Sequence, residues 1–216
     1  MAYDDTLARV ALSLENKTLN TKVTANDLVA MYRSPTGYSQ STDRRIKRAI
    51  DIFCKGKNHF SSIVRFNKAT LYSWLIFIAR SNEKIDRDQS LLFSEMVGRY
   101  ISEFSANTKS IFQGPADQQD LWAKPEDRLL FYFFQNRATS RVADVSSVIL
   151  RDVVIWGFLG DFLEKHQRDH IAALKDSLYR ELTLSRSIVR TASGSSPFDE
   201  DALESTAVER DWGALA

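Results

Sequence analysis

The chain has 216 residues, and 44% of them are hydrophobic, which is enough for a self-supporting core. A single cysteine excludes a scaffold held by internal disulfides, and 8 glycines with 4 prolines are too few for the many turns of an all-β fold. The formal net charge of +1 hides two biased regions. Residues 41–90 carry eleven Lys or Arg against five Asp or Glu, whereas residues 191–216 carry six acidic residues against one arginine.

The beginning of the chain contains two aspartates and lacks the cationic and apolar pattern of a signal peptide. The longest apolar run, 153–159, is far shorter than the roughly 20 residues needed to span a bilayer. We therefore expect a cytoplasmic protein with no membrane partner.

The N-terminal third is predicted to contain three helices. Apolar residues at helical spacing predict a first helix over 4–14. Thr24 is predicted to cap the second helix, because Asp27 stands three residues on and can reach back to the cap amide. A basic third helix is expected to begin at Thr42 and to end near Gly56.

The next region contains a predicted central helix and then a break. Asn67 is expected to cap a helix whose wide apolar surface indicates a central position. Residues 106–124 combine Asn, Gly, Pro, Gln and Asp, so they are predicted to form a connecting loop. This loop separates an N-terminal helical subdomain, 1–105, from the rest of the chain.

The C-terminal half is predicted to start a helix at Pro125 and to form a second helical subdomain over 125–190. Gly157 and Gly160 weaken a long apolar helix, each by about 1 kcal/mol relative to Ala, or permit a bend or a close helix crossing. The acidic residues 191–216 are rich in Ser and are expected to be disordered. The predicted fold is all-α, an irregular bundle of about seven to nine helices.

The basic block is the leading candidate for a functional surface. Cations can neutralise phosphates, and Phe60 and Phe66, which lie among these residues, could stack on bases or belong to the core. A docking surface for an acidic protein would explain the same charges. The predicted nucleic-acid-binding residues are Arg44, Arg45, Lys47, Arg48, Lys55, Lys57, Arg65 and Lys68.

A second cluster of arginines precedes and enters the long apolar helix. Arg137, Arg141 and Arg151 could hold a carboxylate or phosphate bidentately as a secondary anion site. The alternative interpretation is structural: these side chains tie a loop to helix ends by bonding backbone carbonyls.

Catalytic and metal chemistry have little support in the sequence. His166 and His170 are one helical turn apart, which suits a metal, but Gln167 stands where a thermolysin-like site needs Glu, and a third ligand is not evident. A solvated helix face is the favoured interpretation, with a metal-dependent enzyme as an alternative. Cys54 is expected to be a small buried residue at a helix end. We predict no catalytic residue, no bound metal and no cofactor.

Two stretches resemble the helical C-terminal half of the ParB-like GmrSD-type family of prokaryotic restriction and phage-defence proteins. The first is RRIKRAIDIF at 44–53 followed by RFNKATLYSWLIFIA at 65–79, and the second is NRATSRVADVSSVILRDVVI at 136–155. The catalytic half of that family carries an Asp-Gly-Gln-Gln-Arg signature that this chain lacks. The resemblance implies a helical support or recognition module in antiviral defence, with the chemistry assigned to a separate catalytic subunit.

These observations leave two main hypotheses. The first is a non-enzymatic helical module that contacts DNA or RNA within a defence-type complex. The second is a protein–protein adaptor or structural subunit without nucleic-acid contact, whose apolar helices, with Trp74, Trp122 and Trp156, would leave surface for a partner.

Overall fold

The structure is a computed structural model that describes residues 4–61, 64–113, 127–140, 142–193 and 200–215. Within these ranges the backbone forms nine α-helices and no β-strand, which confirms the predicted all-α, multi-helix fold. The helices are α1 (Asp4–Glu15), α2 (Ala25–Arg33), α3 (Gln40–Gly56), α4 (Lys68–Asn82), α5 (Ser90–Gln113), α6 (Arg128–Thr139), α7 (Val145–Lys165), α8 (Tyr179–Ser193) and α9 (Glu200–Glu209). No helix of the described ranges is long and apolar enough to cross a membrane.

Two helix starts agree with the sequence prediction. The backbone N–H of Asp27 donates to the Thr24 hydroxyl over 3.3 Å, and the Thr24 N–H donates to the Asp27 carboxylate over 2.7 Å. At α4, the Thr70 N–H donates to Asn67 Oδ1 over 2.8 Å. Both caps depend on residues three apart in sequence, so local chemistry is sufficient to define them.

The predicted start of α3 at Thr42 is wrong. Ser39 caps this helix, since its hydroxyl oxygen accepts the Thr42 N–H over 3.3 Å, and Thr42 itself is buried in the first turn. The Ser39 hydroxyl and backbone N–H both donate to Glu15 at the end of α1, over 2.8 and 3.1 Å. This tertiary contact holds the cap in place, and the local pattern does not reveal it.

The core is formed around α4 and α7, whose side chains are buried on nearly all sides. One continuous cluster of buried hydrophobic residues runs from Val10 near the start of the chain to Leu215 near its end. It includes Tyr100 on α5 and Trp156 on α7, which lie on opposite sides of the predicted loop. Helices from both predicted subdomains therefore share a core, and the division of the chain into two subdomains stays a prediction.

The predicted loop over 106–124 is wrong in its first part, because α5 continues to Gln113. The polar residues that suggested a loop satisfy themselves within the helix: Asn107 Nδ2 donates to the Glu103 carbonyl over 2.7 Å, and the Thr108 hydroxyl donates to the Phe104 carbonyl over 2.8 Å. Residues 114–124, and Pro125 after them, lie outside the described residues.

The prediction of a disordered acidic tail is also wrong for the part of it that the structure describes. Helix α8 continues to Ser193. Helix α9 and the residues after it are anchored by buried Leu203, Ala207, Trp212 and Leu215. Residues 213–215 are held to the connector after α1 by two backbone hydrogen bonds. The Leu19 N–H donates to the Gly213 carbonyl over 2.7 Å, and the Leu215 N–H donates to the Lys17 carbonyl over 2.9 Å.

A buried polar network joins this C-terminal segment to the core. Asp152 of α7 accepts from Arg80 of α4 over 2.7 Å and from the indole N–H of Trp212 over 2.8 Å, both at Oδ2. The Arg80 guanidinium also lies over the Trp212 ring, 4.4 Å from its centroid. Burial raises the pKa of the Asp152 carboxyl, whereas the charge of Arg80 and the indole hydrogen bond oppose that rise.

The glycines of the helices differ in what surrounds them. Helix α7 continues through Gly157 and Gly160, where an added methyl group would meet side chains of α8, Val189 at 3.4 Å and Arg186 at 2.6 Å, so the predicted bend or close crossing stays a prediction. The tightest crossing joins α3 to α5. A methyl group placed on Gly98 would lie 2.9 Å from the Gly56 Cα and even closer to the Gly56 carbonyl oxygen.

We predict that Gly98→Ala lowers the free energy of unfolding by about 1–3 kcal/mol, because two rigid backbones must separate. The matched control is Gly157→Ala, where the added methyl meets only a Val189 side chain at 3.4 Å. Since alanine has the higher helix propensity, that variant should be unchanged or gain up to about 1 kcal/mol. Denaturant unfolding measures both, and equal effects of the two substitutions would contradict the α3–α5 crossing.

We predict that Trp212→Ala lowers the free energy of unfolding by about 3–5 kcal/mol. Trp212→Phe keeps most of the packing and leaves Asp152 with one donor fewer, for a loss of about 1–3 kcal/mol. The control is Val208→Ala in the same segment, whose side chain is 54% exposed and should change stability by no more than about 0.5 kcal/mol. If the segment were disordered, all three variants would unfold like the wild type.

Candidate functional site

Part of the predicted basic block forms one stripe along α3. Arg44, Arg48 and Lys55 are separated by four and seven residues, which places them on the same helix face. Arg44 and Lys55 are exposed and Arg48 is half-buried. The stripe presents guanidinium and ammonium groups along the length of the helix.

Three of the eight predicted nucleic-acid-binding residues are neutralised by acidic neighbours. Lys47 pairs with Asp43 and Lys55 pairs with Asp51, each over 2.7 Å and one helical turn apart. Exposed pairs of this kind contribute about 0.3–0.5 kcal/mol and exchange readily with other ions.

The third neutralised residue is Arg45, which points inward. Its Nε lies 2.6 Å from Glu83 at the end of α4, without the alignment of a hydrogen bond. Burial raises the pKa of Glu83, and the charge of Arg45 opposes the rise. Arg45 is thus a structural contact between α3 and α4 and does not belong to an exposed binding surface.

The other five predicted cations form no ion pair with any carboxylate in the described ranges. All of them except the half-buried Arg48 are exposed. They are Arg44, Arg48, Lys57, Arg65 and Lys68.

The phenylalanines among these cations belong to the core. Phe53, Phe60 and Phe66 contact one another with ring centroids 5.3–5.8 Å apart, and they pack against the main hydrophobic cluster. Of the two interpretations of Phe60 and Phe66, the core interpretation is therefore confirmed, and their faces are not free to stack on bases.

Arg65 and Lys68 are close in sequence but line different cavities. Arg65 borders a cavity of about 580 Å³ between α4, α5 and α6. Lys68 borders a smaller cavity of about 230 Å³ between α1, α4 and α7. The helix start at Asn67 separates the two side chains, so they do not extend the α3 stripe as one patch.

Of the predicted secondary anion site, the structure describes Arg137 and Arg151, whose side chains have different partners. Arg137 pairs with Glu200 of α9, and Arg141 lies outside the described residues. Arg151 is fully buried and donates to the Ser73 hydroxyl over 2.9 Å, to the Val142 carbonyl over 3.0 Å and to the Arg137 carbonyl. For Arg151 the bonds to backbone carbonyls that the structural alternative predicted are present: Arg151 ties the turn after α6 to α4 and α7.

The pKa of Arg151 is lowered to about 10, chiefly by removal from water; Tyr72 opposes this shift, and the charge of nearby Arg137 contributes to it. The carbonyl of Arg137 lies in the last turn of α6, where the helix dipole favours a cation. Arg151 therefore remains charged near neutral pH.

His166 and His170 lie just after the end of α7, in an ion-pair network with residues of α5. His166 Nε2 lies 2.7 Å from Glu103 and its Nδ1 lies 2.9 Å from Asp169, so both ring nitrogens face carboxylates. His170 lies 3.1 Å from Glu95. A hydrogen bond from Arg99 and then one from His166 lower the pKa of Asp169.

The described residues contain no group of three or more His, Cys, Asp or Glu side chains that could hold a metal ion. The metal-site alternative at His166 and His170 is therefore not supported. The expectation that Cys54 is buried is wrong, since its side chain is exposed on α3.

Two of the three tryptophans named with the adaptor hypothesis are core residues. Trp74 and Trp156 are buried within the aromatic cluster of α4, α5 and α7. Trp122 lies outside the described residues. The sequence pattern did not indicate Arg9 and Lys22, which line the smaller cavity together with Arg151. No local pattern marks these residues, because the fold assembles them from segments more than a hundred residues apart.

Comparison of the chain with models of protein families, with curated proteins and with solved structures finds no match.

We predict that Zn²⁺ leaves the thermal unfolding midpoint of chelator-treated protein unchanged, because both nitrogens of His166 are already engaged with carboxylates. Differential scanning calorimetry with and without the metal measures this. A control with His166→Gln and His170→Gln separates specific binding from weak surface binding. A rise in the midpoint that this double variant abolishes would contradict the expectation.

Proposed function

We propose that this chain is a non-enzymatic helical module that contacts the phosphate backbone of nucleic acid within a prokaryotic defence-type assembly. The observation that supports it most is the α3 stripe. Arg44 and Arg48 lie on one helix face and form no ion pair with any described carboxylate. Lys55 lies on the same face but is paired with Asp51, and Lys57 follows the end of α3 with no ion pair to a described carboxylate.

A stripe of this kind favours contact with phosphates over recognition of bases. Arginine holds phosphate bidentately, and neutralising phosphates releases counterions into solution. Phe60 and Phe66 pack into the core, so base stacking would add little. We therefore expect binding with low sequence preference and a strong dependence on salt.

The resemblance to the GmrSD-type family supports the cellular context of this proposal. Its first stretch, 44–53, contains the α3 cations, and its second, 136–155, contains the start of α7. In this proposal the chain recognises DNA or RNA or supports the complex, and a separate catalytic subunit is its protein partner.

We predict that Arg44→Gln combined with Arg48→Gln weakens binding to a short DNA duplex. The slope of log K against log salt concentration should become shallower by about 1.8, since each lost phosphate contact removes about 0.9. Fluorescence anisotropy over a salt series measures the slope, and a single-stranded RNA of the same length tests the other class of nucleic acid.

The matched control is Arg168→Gln combined with Arg180→Gln, which removes the same charge from exposed positions outside the stripe. This control should keep the wild-type slope. No binding of either nucleic acid at low salt, or equal losses in the two double variants, would contradict the proposal.

The adaptor remains the second candidate, and one observation favours it. Phe112 at the end of α5 and Tyr132 on α6 are 43% and 48% exposed, with their rings 6.3 Å apart. Adjacent exposed aromatic rings are typical of protein interfaces. Sedimentation of the pure chain tests this candidate: a monomer with no self-association, together with salt-dependent binding to nucleic acid, would favour the first proposal.

A further inference from the structure

A small cavity of about 230 Å³ lies between α1, α4 and α7. Much of its wall is apolar, with Leu19, Val23, Ala69, Val145 and Val148 among the lining residues. The charged residues of the lining are unbalanced, because four cations face one carboxylate, a formal net charge of +3. These residues are Arg9, Lys22, Lys68, Arg151 and Asp5.

Arg151 is the most important of these cations, because its charge is buried. Its side chain is 0% exposed, and within the described ranges it meets no carboxylate. Three of the five N–H groups of its guanidinium are used by Ser73 and by two backbone carbonyls. Burying a charge without a counterion is costly, so buried arginines are normally paired.

Of the three other cations that line the cavity, two are neutralised by described carboxylates and one is not. Arg9 pairs with Asp5 over 3.1 Å and Lys22 pairs with Asp144 over 2.8 Å. Lys68 forms no ion pair with a described carboxylate. Two cations, Arg151 from α7 and Lys68 from α4, thus line one cavity with no carboxylate partner among the residues that the structure describes.

Tyr72 does not supply the missing negative charge. Its hydroxyl is 2.7 Å from the Ser13 hydroxyl, and removal from water raises its pKa to about 12. Tyr72 therefore stays neutral at physiological pH and contributes only its ring to the wall.

We infer that this cavity binds a small organic anion whose charged head pairs with Arg151 and Lys68 and whose apolar body packs against Val145 and Val148. The head is a carboxylate or a phosphate monoester, which arginine recognises in the same way. The volume is below the roughly 300–1,000 Å³ of drug-sized sites, so the ligand is smaller than a nucleotide. The site is independent of the α3 stripe and of nucleic-acid binding.

Isothermal titration calorimetry on the full chain tests this inference with four probes. The two anions, 4-methylpentanoate and 3-methylbutyl phosphate, carry similar apolar bodies and distinguish a carboxylate head from a phosphate head. The two controls are 4-methylpentan-1-ol, which has the body without the charge, and inorganic phosphate, which has the charge without the body. We expect at least one organic anion to bind about tenfold or more tightly than either control.

Variants connect binding to this cavity. Lys68→Met should weaken the preferred anion about tenfold, and its free energy of unfolding should change little because Lys68 is exposed. Lys57→Met, a cation on the surface and outside the lining, is the matched control and should bind like the wild type. Val148→Phe fills the cavity from its apolar side and should reduce binding of both anions.

Three results would overturn the inference. They are an absence of binding by both anions at millimolar concentration, equal binding of the alcohol and the anions, and unchanged anion binding in Lys68→Met. None of these measurements depends on nucleic acid, so failure here is distinguishable from failure of the proposed function.

Discussion

The buried ion pair between Arg80 and Asp152 is the contact on which the arrangement of the central helices depends. It joins α4 to α7 over 2.7 Å in surroundings that exclude water. Such a pair is stable only when both charges are well solvated by the protein, and removal of one partner leaves the other uncompensated. Trp212 adds an indole N–H to Asp152 Oδ2 and a ring beneath the Arg80 guanidinium. The C-terminal segment therefore contributes a hydrogen-bond donor to the buried ion pair as well as apolar side chains to the core.

Arg151, which precedes Asp152 in the sequence, is also buried but has no carboxylate partner among the described residues. Both arginines, Arg80 and Arg151, reach between α4 and α7, but only Arg80 meets a carboxylate among the described residues. Arg151 is stabilised by a hydroxyl and by carbonyls near the end of α6, which offer partial charges only. This difference between a buried arginine with a described counterion and one without is the reason that we propose a ligand site at Arg151 and none at Arg80.

The chain has two positively charged regions, the α3 stripe and the cavity between α1, α4 and α7, and they differ in exposure and size. The α3 stripe lies on the surface of a helix, and in the proposed function its charges bind an extended polyanion through counterion release. The cavity is small and largely apolar, and in the inferred site its charges pair with a single anionic group. Lys68 illustrates the distinction, because its place in the sequence suggested the first region and its place in the fold assigns it to the second.

The sequence by itself determined the helical class and the caps at Thr24 and Asn67, because helical spacing and capping depend on residues within one turn of each other. It also located the α3 cations, whose common face follows from helix geometry. Only the tertiary structure decided the start of α3 at Ser39, the order of the C-terminal segment around Trp212 and the burial of Arg151. Each of these depends on a partner distant in the chain, and a local pattern carries no information about which distant group will satisfy a polar or apolar side chain.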